Sequence, residues 1–181
     1  MKATGIVRRI DDLGRIVIPK EIRRTLRIRE SDPIEIFTDS EGQVILKKYS
    51  PMGDLVVFAK QCAESLAEVS GHAALIADRE QFIASSGGYR SLVNKPVGKY
   101  LEDRINKRET ILASMGDRNF VRVCDESEAG YSHEMIAPII CEGDIIGSVI
   151  LLEEDQKKRM GEVEQKLAQW AAGFLGRKLE N

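Results

Sequence analysis

The chain has 181 residues and a net charge of −2, from 27 Lys/Arg and 29 Asp/Glu, with 43% hydrophobic and 31% charged residues. This is the composition of a folded soluble chain of one large or two small domains, and no apolar run reaches the ~18–20 residues that cross a bilayer, which excludes a helical membrane protein. The near-neutral total hides an asymmetry: residues 1–29 carry nine basic against three acidic side chains, and residues 51–181 carry 16 against 21, so a polyanionic partner is expected at one end alone.

Residues 4–10 alternate polar and apolar and predict a strand. Asp11-Asp12-Leu13-Gly14 is a turn in which Gly14 is free to take positive φ, and residues 15–18 form a second strand closed by Pro19. Pro19 suits the first position of a helix, where Ile22 and Leu26 share one face and Arg23 and Arg24 occupy the first turns. Asp32-Pro33 ends it, and strands over residues 34–38 and 43–47 flank a hairpin turn at Asp39-Ser40-Glu41-Gly42. The first 50 residues are thus a β-β-α-β-β unit that buries too little surface alone, and an intertwined dimer would supply the missing core. Pro51 and Gly53 punctuate the chain after it, so the expected domains are residues 1–50 and 54–181.

In the second half Leu55, Phe58, Cys62, Leu66 and Val69 step by three and four and predict an amphipathic helix ending near Ser70-Gly71. Short strands are expected at residues 73–76, 82–84 and 120–123, and a helix at 97–108 with Tyr100, Leu101 and Ile105 inward. A long hairpin pairs 135–141 with 145–152 around Glu142-Gly143-Asp144. A last helix from about residue 153 to 179 carries Met160, Val163, Leu167, Trp170 and Phe174 at 3-4-3-4 spacing. The fold class is therefore α+β, with a helix at each end of the second domain. Such stripes either pack on their own sheet or join a bundle between subunits, which makes Leu55, Phe58, Leu66, Leu167, Trp170 and Phe174 the candidate oligomerisation residues.

Arg8, Arg9, Arg15, Arg23 and Arg24 enclose one tight turn and can converge on one surface. Guanidinium groups are planar, permanently charged and able to hold phosphate oxygens through two parallel hydrogen bonds. No nucleophile–base pair, metal cluster or phosphate-cradling glycine loop accompanies them, Gly87-Gly88 being too short a signal, so no enzyme is expected. Cys62, Cys124 and Cys141 are too far apart for a disulfide framework or zinc spacing, and His72 and His133 fit no metal or triad pattern. Neither a metal nor a cofactor is expected. Met1 to Gly5 lacks the apolar core of a secretory signal, so the protein is expected to stay where it is made.

The run Lys2-Ala3-Thr4-Gly5-Ile6-Val7-Arg8-Arg9-Ile10-Asp11-Asp12-Leu13-Gly14-Arg15-Ile16-Val17-Ile18-Pro19, continued by Glu21-Ile22-Arg23-Arg24-Thr25-Leu26 and Leu46-Lys47-Lys48-Tyr49, resembles the signature of the AbrB-type transition-state regulators. The resemblance implies a dimeric swapped-hairpin β-barrel in which two chains interleave. It also implies double-stranded DNA contacted by Arg8, Arg9, Arg15, Arg23 and Arg24, with shape and deformability read more than a fixed base code. An antitoxin-type autorepressor with a toxin partner is the alternative use of such a barrel; there a short acidic tail follows, where this chain has a folded domain.

The hairpin Ala137-Pro138-Ile139-Ile140-Cys141-Glu142-Gly143-Asp144-Ile145-Ile146-Gly147-Ser148-Val149-Ile150-Leu151 is similar to those of GAF domains, with Gly147 permitting close packing. This implies a C-terminal GAF-like domain and an unidentified small-molecule effector, with Ser85, Ser86, Tyr89, Asn94, Arg122 and Ser132 as candidate lining residues. The cyclic-nucleotide pattern is not met: Asn94-Lys95 is present, but residues 97–103 lack the Phe and carry Glu102-Asp103 in reverse order. The chromophore pattern fails too, because Cys124 is followed by Asp125 rather than His. Together the resemblances imply a cytoplasmic, nucleoid-associated regulator of sporulation genes, activating some and repressing others. It would dimerise through the first half and form a homotetramer through the terminal helices.

Overall fold

Two hairpin turns of the first fifty residues are built on one plan. In the computed structural model, which describes residues 5–49, 56–125 and 130–180, Gly14 (φ 75°) and Gly42 (φ 79°) take the left-handed conformation. Each donates its N–H three residues back, to the carbonyl of Asp11 (3.0 Å) or Asp39 (3.3 Å). The aspartate Oδ1 then accepts the N–H two residues on, from Leu13 (3.1 Å) or Glu41 (3.0 Å), and four residues on, from Arg15 (2.8 Å) or Gln43 (2.9 Å). Such local bonds are why Asp begins a turn that Gly ends. The second turn joins strand β1 (Ile34–Thr38) to strand β2 (Val44–Lys48), antiparallel, with Thr38 opposite Val44.

Helix α1 (Lys20–Thr25) follows Pro19 and closes through Arg27 at φ 51°, with the Ile28 N–H on the Arg23 carbonyl at 2.7 Å. It is a six-residue helix, so Arg23 and Arg24 sit in its last turn and not in the first turns expected. The strands expected at 4–10 and 15–18 are likewise not formed within one chain. Residue 4 lies outside the described residues, and 5–18 make the turn with no ladder around it. The cause is the lack of a second layer: among the described residues of this unit only Pro19 is buried, while Val7 is 86% exposed and Ile10, Leu13, Val17, Ile36 and Val44 are also mostly exposed. An apolar face packs only against another element.

The chain divides into two compact units, Met1–Tyr49 and Ser50–Asn181. The second is organised by a five-stranded antiparallel sheet of β3 (Ala73–Asp78), β4 (Phe82–Ser86), β5 (Ile111–Ser114), β6 (His133–Cys141) and β7 (Asp144–Glu153), in the order β4-β3-β7-β6-β5. Both faces are covered, which is why β3 and β7 read as nearly unbroken apolar runs. Ala74, Ile76, Met135, Ala137, Ile139, Val149 and Leu151 face helices α2 (Val56–Ser70) and α4 (Glu162–Leu179). Leu75, Ala77, Ile136, Ile150 and Leu152 face α3 (Lys99–Asn106) and the extended residues Val121 and Val123.

The inner faces of α2 and α4 are made of small residues: Ala59 and Ala63 beside Leu66, and Ala168, Ala171, Ala172 and Gly176 beside Leu175. At Gly176 a Cβ would lie 2.1 Å from the Ile140 carbonyl oxygen, so that helix rests directly on the β6 backbone. Of the 3-4-3-4 stripe, Val163, Trp170 (63% exposed) and Phe174 consequently point outward, while Met160 packs partly against the core. Leu66 belongs to the unit's own core, and Leu167 packs partly against it; neither stands on the outer stripe with Phe58, and Leu55 lies outside the described residues. The last helix starts at Glu162 and not near residue 153, because β7 continues to Glu153 and Glu164 caps the helix by accepting the Gly161 N–H at 2.7 Å. Residues 120–123 are not a strand, and the edge strand is β5.

Two glycines on one helix should respond oppositely to alanine. Gly176→Ala must push α4 off β6 and is expected to cost about 1–3 kcal/mol. Gly173→Ala meets nothing closer than Arg177 at 3.9 Å and is expected to stabilise by about 0.5–1 kcal/mol. Thermal unfolding of the full chain checks both signs.

Candidate nucleic-acid interface and effector face

The bond from the Asp11 N–H to the Arg15 carbonyl (3.1 Å) folds the chain back at the first turn and sets Arg15 beside Asp11. Arg8, Arg9 and Arg24 are exposed, and the Arg15 side chain is 69% exposed. Arg23 is half-buried, and its Nε makes no hydrogen bond among the described residues. Arg15 is anchored at its base: its Nε donates to Asp11 Oδ2 at 2.8 Å. The Asp11 carboxyl is held below the usual carboxylate range, first by the Arg15 backbone N–H and then by the Arg15 side chain. Among the described residues nothing accepts from the Nη groups of Arg15, and such a free edge is what a phosphate contact uses.

The six residues expected to line an effector pocket do different jobs. Ser85 donates its hydroxyl to the Gly88 carbonyl. Ser132 is buried and donates to the Glu154 carbonyl at 2.9 Å. Asn94 is exposed at φ 68° in a turn where its N–H reaches the Phe82 carbonyl (2.8 Å), Arg122 is exposed, and Ser86 is half-buried at the end of β4. Tyr89, at φ 55°, alone of the six joins an aromatic cluster: its ring meets Tyr131 edge-on at 6.2 Å, and Phe120 lies 5.3 Å from Tyr131.

Beneath that cluster the chain substitutes side chains for a strand partner. The Tyr131 hydroxyl donates to the Val121 carbonyl (3.0 Å) and accepts the Val123 N–H (2.9 Å), while Glu134 Oε1 accepts the Val121 N–H (2.7 Å). These three bonds are why residues 120–123 stay extended without belonging to the sheet. Glu134 is fully buried, and its Oε2 has no hydrogen-bond partner among the described residues. Burial pushes its pKa up to about 8 against the lowering effect of the Val121 N–H, so the carboxyl is protonated at neutral pH. Burial also raises the Tyr89 and Tyr131 phenols above their usual range. Phe120, Tyr131 and Glu134 were not singled out from the sequence. The available signal was a carboxylate heading an apolar strand with the parity of Ile136, which faces the same side.

The family described as stage V sporulation protein T C-terminal, transcription factor, matches residues 54–180. That described as antidote-toxin recognition MazE, bacterial antitoxin, matches residues 7–54. The GAF domain of an Acinetobacter phosphoenolpyruvate-protein phosphotransferase superposes with a TM-score of 0.58 at 11% identity, covering 74% of this chain and 84% of that one. Transition state regulatory protein AbrB of Bacillus subtilis (strain 168) is 63% identical over 51 residues, 28% of this chain and 52% of AbrB. The molecule is thus a two-unit regulator, with an AbrB-like first unit and a GAF fold in the second. Stage V sporulation protein T of the same organism is 50% identical over 181 residues, 99% of each chain. The chain belongs to the stage V sporulation protein T family, a family of transcription factors and not of enzymes.

The buried acid gives a pH signature. A carboxyl raised in the folded state contributes stability that is fully present below its unfolded pKa of about 4.5 and is lost as pH rises through about 8. Glu134→Gln keeps the acceptor for the Val121 N–H and removes the charge. The variant's unfolding midpoint should gain on the parent's between about pH 5 and about pH 8 and hold a constant lead above that. Parallel pH profiles for the two proteins would rule this out.

Proposed function

We propose that this chain is a DNA-binding regulator of sporulation genes, activating some and repressing others, whose first unit grips duplex DNA as an interleaved dimer through Arg8, Arg9, Arg15, Arg23 and Arg24. The observation that carries it is the first unit itself: a single copy buries almost none of its apolar residues and keeps Arg8, Arg9, Arg15 and Arg24 exposed. A second copy supplies the opposing layer and, by two-fold symmetry, doubles the cationic set along a duplex. Identity to AbrB over this unit supports the same assignment. In this reading the protein works on the nucleoid, and Phe58, Trp170 and Phe174 pair dimers into a tetramer. Burying one such aromatic contributes about 1.5–3 kcal/mol. A small molecule seated near Tyr89, with Ser85, Ser86, Asn94, Arg122 and Ser132 around it, changes the spacing of the two DNA-binding barrels.

Arg15→Ala or Arg24→Ala should weaken binding to a labelled A·T-rich duplex by about tenfold or more and flatten the salt dependence, with the oligomer intact. Parental affinity in either variant at moderate salt would remove that arginine from the interface. Trp170→Glu should halve the mass seen by light scattering from tetramer to dimer while leaving the unit folded; an unchanged mass would send the stripe back to solvent.

A second reading is an antitoxin-type autorepressor, favoured by the match of residues 7–54 to the MazE antitoxin family. Co-purification of a small toxin with the full chain, in a complex that shields it from its target, would establish that use.

A further inference from the structure

We propose that Asp11, an acidic residue inside the basic surface, is a positioning residue for DNA binding: its Oδ2 holds the Arg15 Nε and presents the two Nη groups of that guanidinium to a phosphate. This rests on Arg15 being a DNA contact, as proposed above.

The two matched turns supply an internal comparison. Asp11 and Asp39 use Oδ1 in the same way, each accepting two backbone N–H groups of its turn. They differ at the other oxygen. Asp11 Oδ2 accepts from Arg15 Nε at 2.8 Å, whereas the equivalent residue of the second turn, Gln43, sends its side-chain Nε2 to Glu41 Oε2 at 2.9 Å. A turn of this kind therefore closes on Oδ1 alone, and the Oδ2 bond is surplus to folding.

What the surplus bond does is fix a long, rotatable side chain before any ligand arrives. A guanidinium donates along two edges, one including Nε and one made by the two Nη groups. Asp11 takes the Nε, and no described residue accepts from the Nη groups. The open edge is the one that matches a phosphate with two parallel bonds. Ordering Arg15 in advance removes part of the entropy loss of binding, which is how preorganisation raises affinity.

Simple charge counting gives the opposite sign. Removing a negative charge from a DNA-binding surface should tighten binding, and Asp12, the next carboxylate along, offers the same charge change without a hydrogen bond to Arg15. Five variants of the full chain, Asp11→Asn, Asp12→Asn, Asp39→Asn, Arg15→Ala and the double variant Asp11→Asn with Arg15→Ala, separate these effects by fluorescence anisotropy on the A·T-rich duplex across a salt series. Asn at 11 retains an oxygen for the turn and loses the acceptor for Nε.

The expected result is a loss of about tenfold for Asp11→Asn, against changes within about twofold for Asp12→Asn and Asp39→Asn. In the Arg15→Ala background Asp11→Asn should have no further effect, because its action runs through that side chain. Unfolding midpoints of Asp11→Asn and Asp39→Asn should shift alike, since both turns keep their backbone bonds. Binding by Asp11→Asn as tight as the parent or tighter overturns the proposal, as does an equal loss in Asp39→Asn or a loss that persists without Arg15. If Arg15→Ala itself binds like the parent, the DNA contact assigned to Arg15 has failed and the proposal falls with it. Failure of Asp11→Asn alone leaves that contact standing.

Discussion

Everything in the first unit depends on apolar side chains that one chain cannot cover. Val7, Ile10, Leu13, Val17, Ile36 and Val44 lie on two short hairpin elements with no layer behind them. At about 0.8 kcal/mol per methylene kept in water, a handful of exposed branched residues outweighs the few kcal/mol that a 49-residue unit has to spare. The turns themselves are secure, because their bonds are local: each closes on one aspartate and one left-handed glycine. What the single chain lacks is anything for the strands flanking the first turn to pair with. In the proposed dimer an interleaved second copy would provide pairing and cover together, and its two-fold axis would set the spacing of the arginines. Assembly and DNA recognition would then share one cause.

The second unit solves the same problem internally and leaves a different remainder. Its sheet is covered on both faces, and the helices that cover one face do so with alanines and a glycine, so that α4 lies on the backbone of β6. The aromatic side chains of α4 stand on the outside, while Leu175 alone of its large residues is fully buried on the inner face. Trp170 and Phe174 stack on each other at 5.6 Å, and Lys178 sits over the Phe58 ring of α2 at 5.1 Å. The start of α4 is held by polar contacts: buried His72 lies 2.7 Å from Glu153, with Lys158 on the same carboxylate at 3.0 Å, and Glu164 is 3.7 Å from the other imidazole nitrogen. Against its burial, the Asp155 N–H first and then Lys158 and His72 pull the Glu153 carboxyl down to about 2. An outward aromatic stripe on a helix so firmly seated is a rigid surface, which suits association better than a mobile one.

Most of this order is written in local signals. The Asp-x-x-Gly turns, the β1–β2 hairpin and the β6–β7 hairpin were legible because each depends on residues a few positions apart. The element order of the second unit followed from alternation and turn residues except at one sheet edge, where a strand was expected over residues 120–123 and β5 was not expected. The stripe on α4 was legible as a stripe, but its direction was not. A rule that puts the largest apolar residues inward fails where close approach to a sheet selects Ala168, Ala171, Ala172 and Gly176. Residues 120–123 carry a strand pattern and are extended, yet their partners are Tyr131 and Glu134, side chains whose role is visible only in three dimensions. The arginines of the first unit stood out by count, while the aspartate that holds one of them looked like an ordinary turn residue.

Strand β6 joins the two halves of the proposed regulation. Alternation puts Glu134 and Ile136 on the aromatic side of the sheet, and Met135, Ala137 and Ile139 on the side of the helices. Further along the same strand, the Ile140 carbonyl is the atom against which Gly176 rests. In the proposed regulation, a change at the aromatic face that reached the buried, unpaired Glu134 oxygen would act on the backbone carrying α4 with no flexible loop between. Because core packing tolerates discrete rearrangement better than gradual strain, a small change at one end of β6 would in that proposal be resolved as a change in how α4 seats. Linkage then requires the reverse: any assembly through Trp170 and Phe174 that favours one seating of α4 must alter affinity at the aromatic face by the same factor.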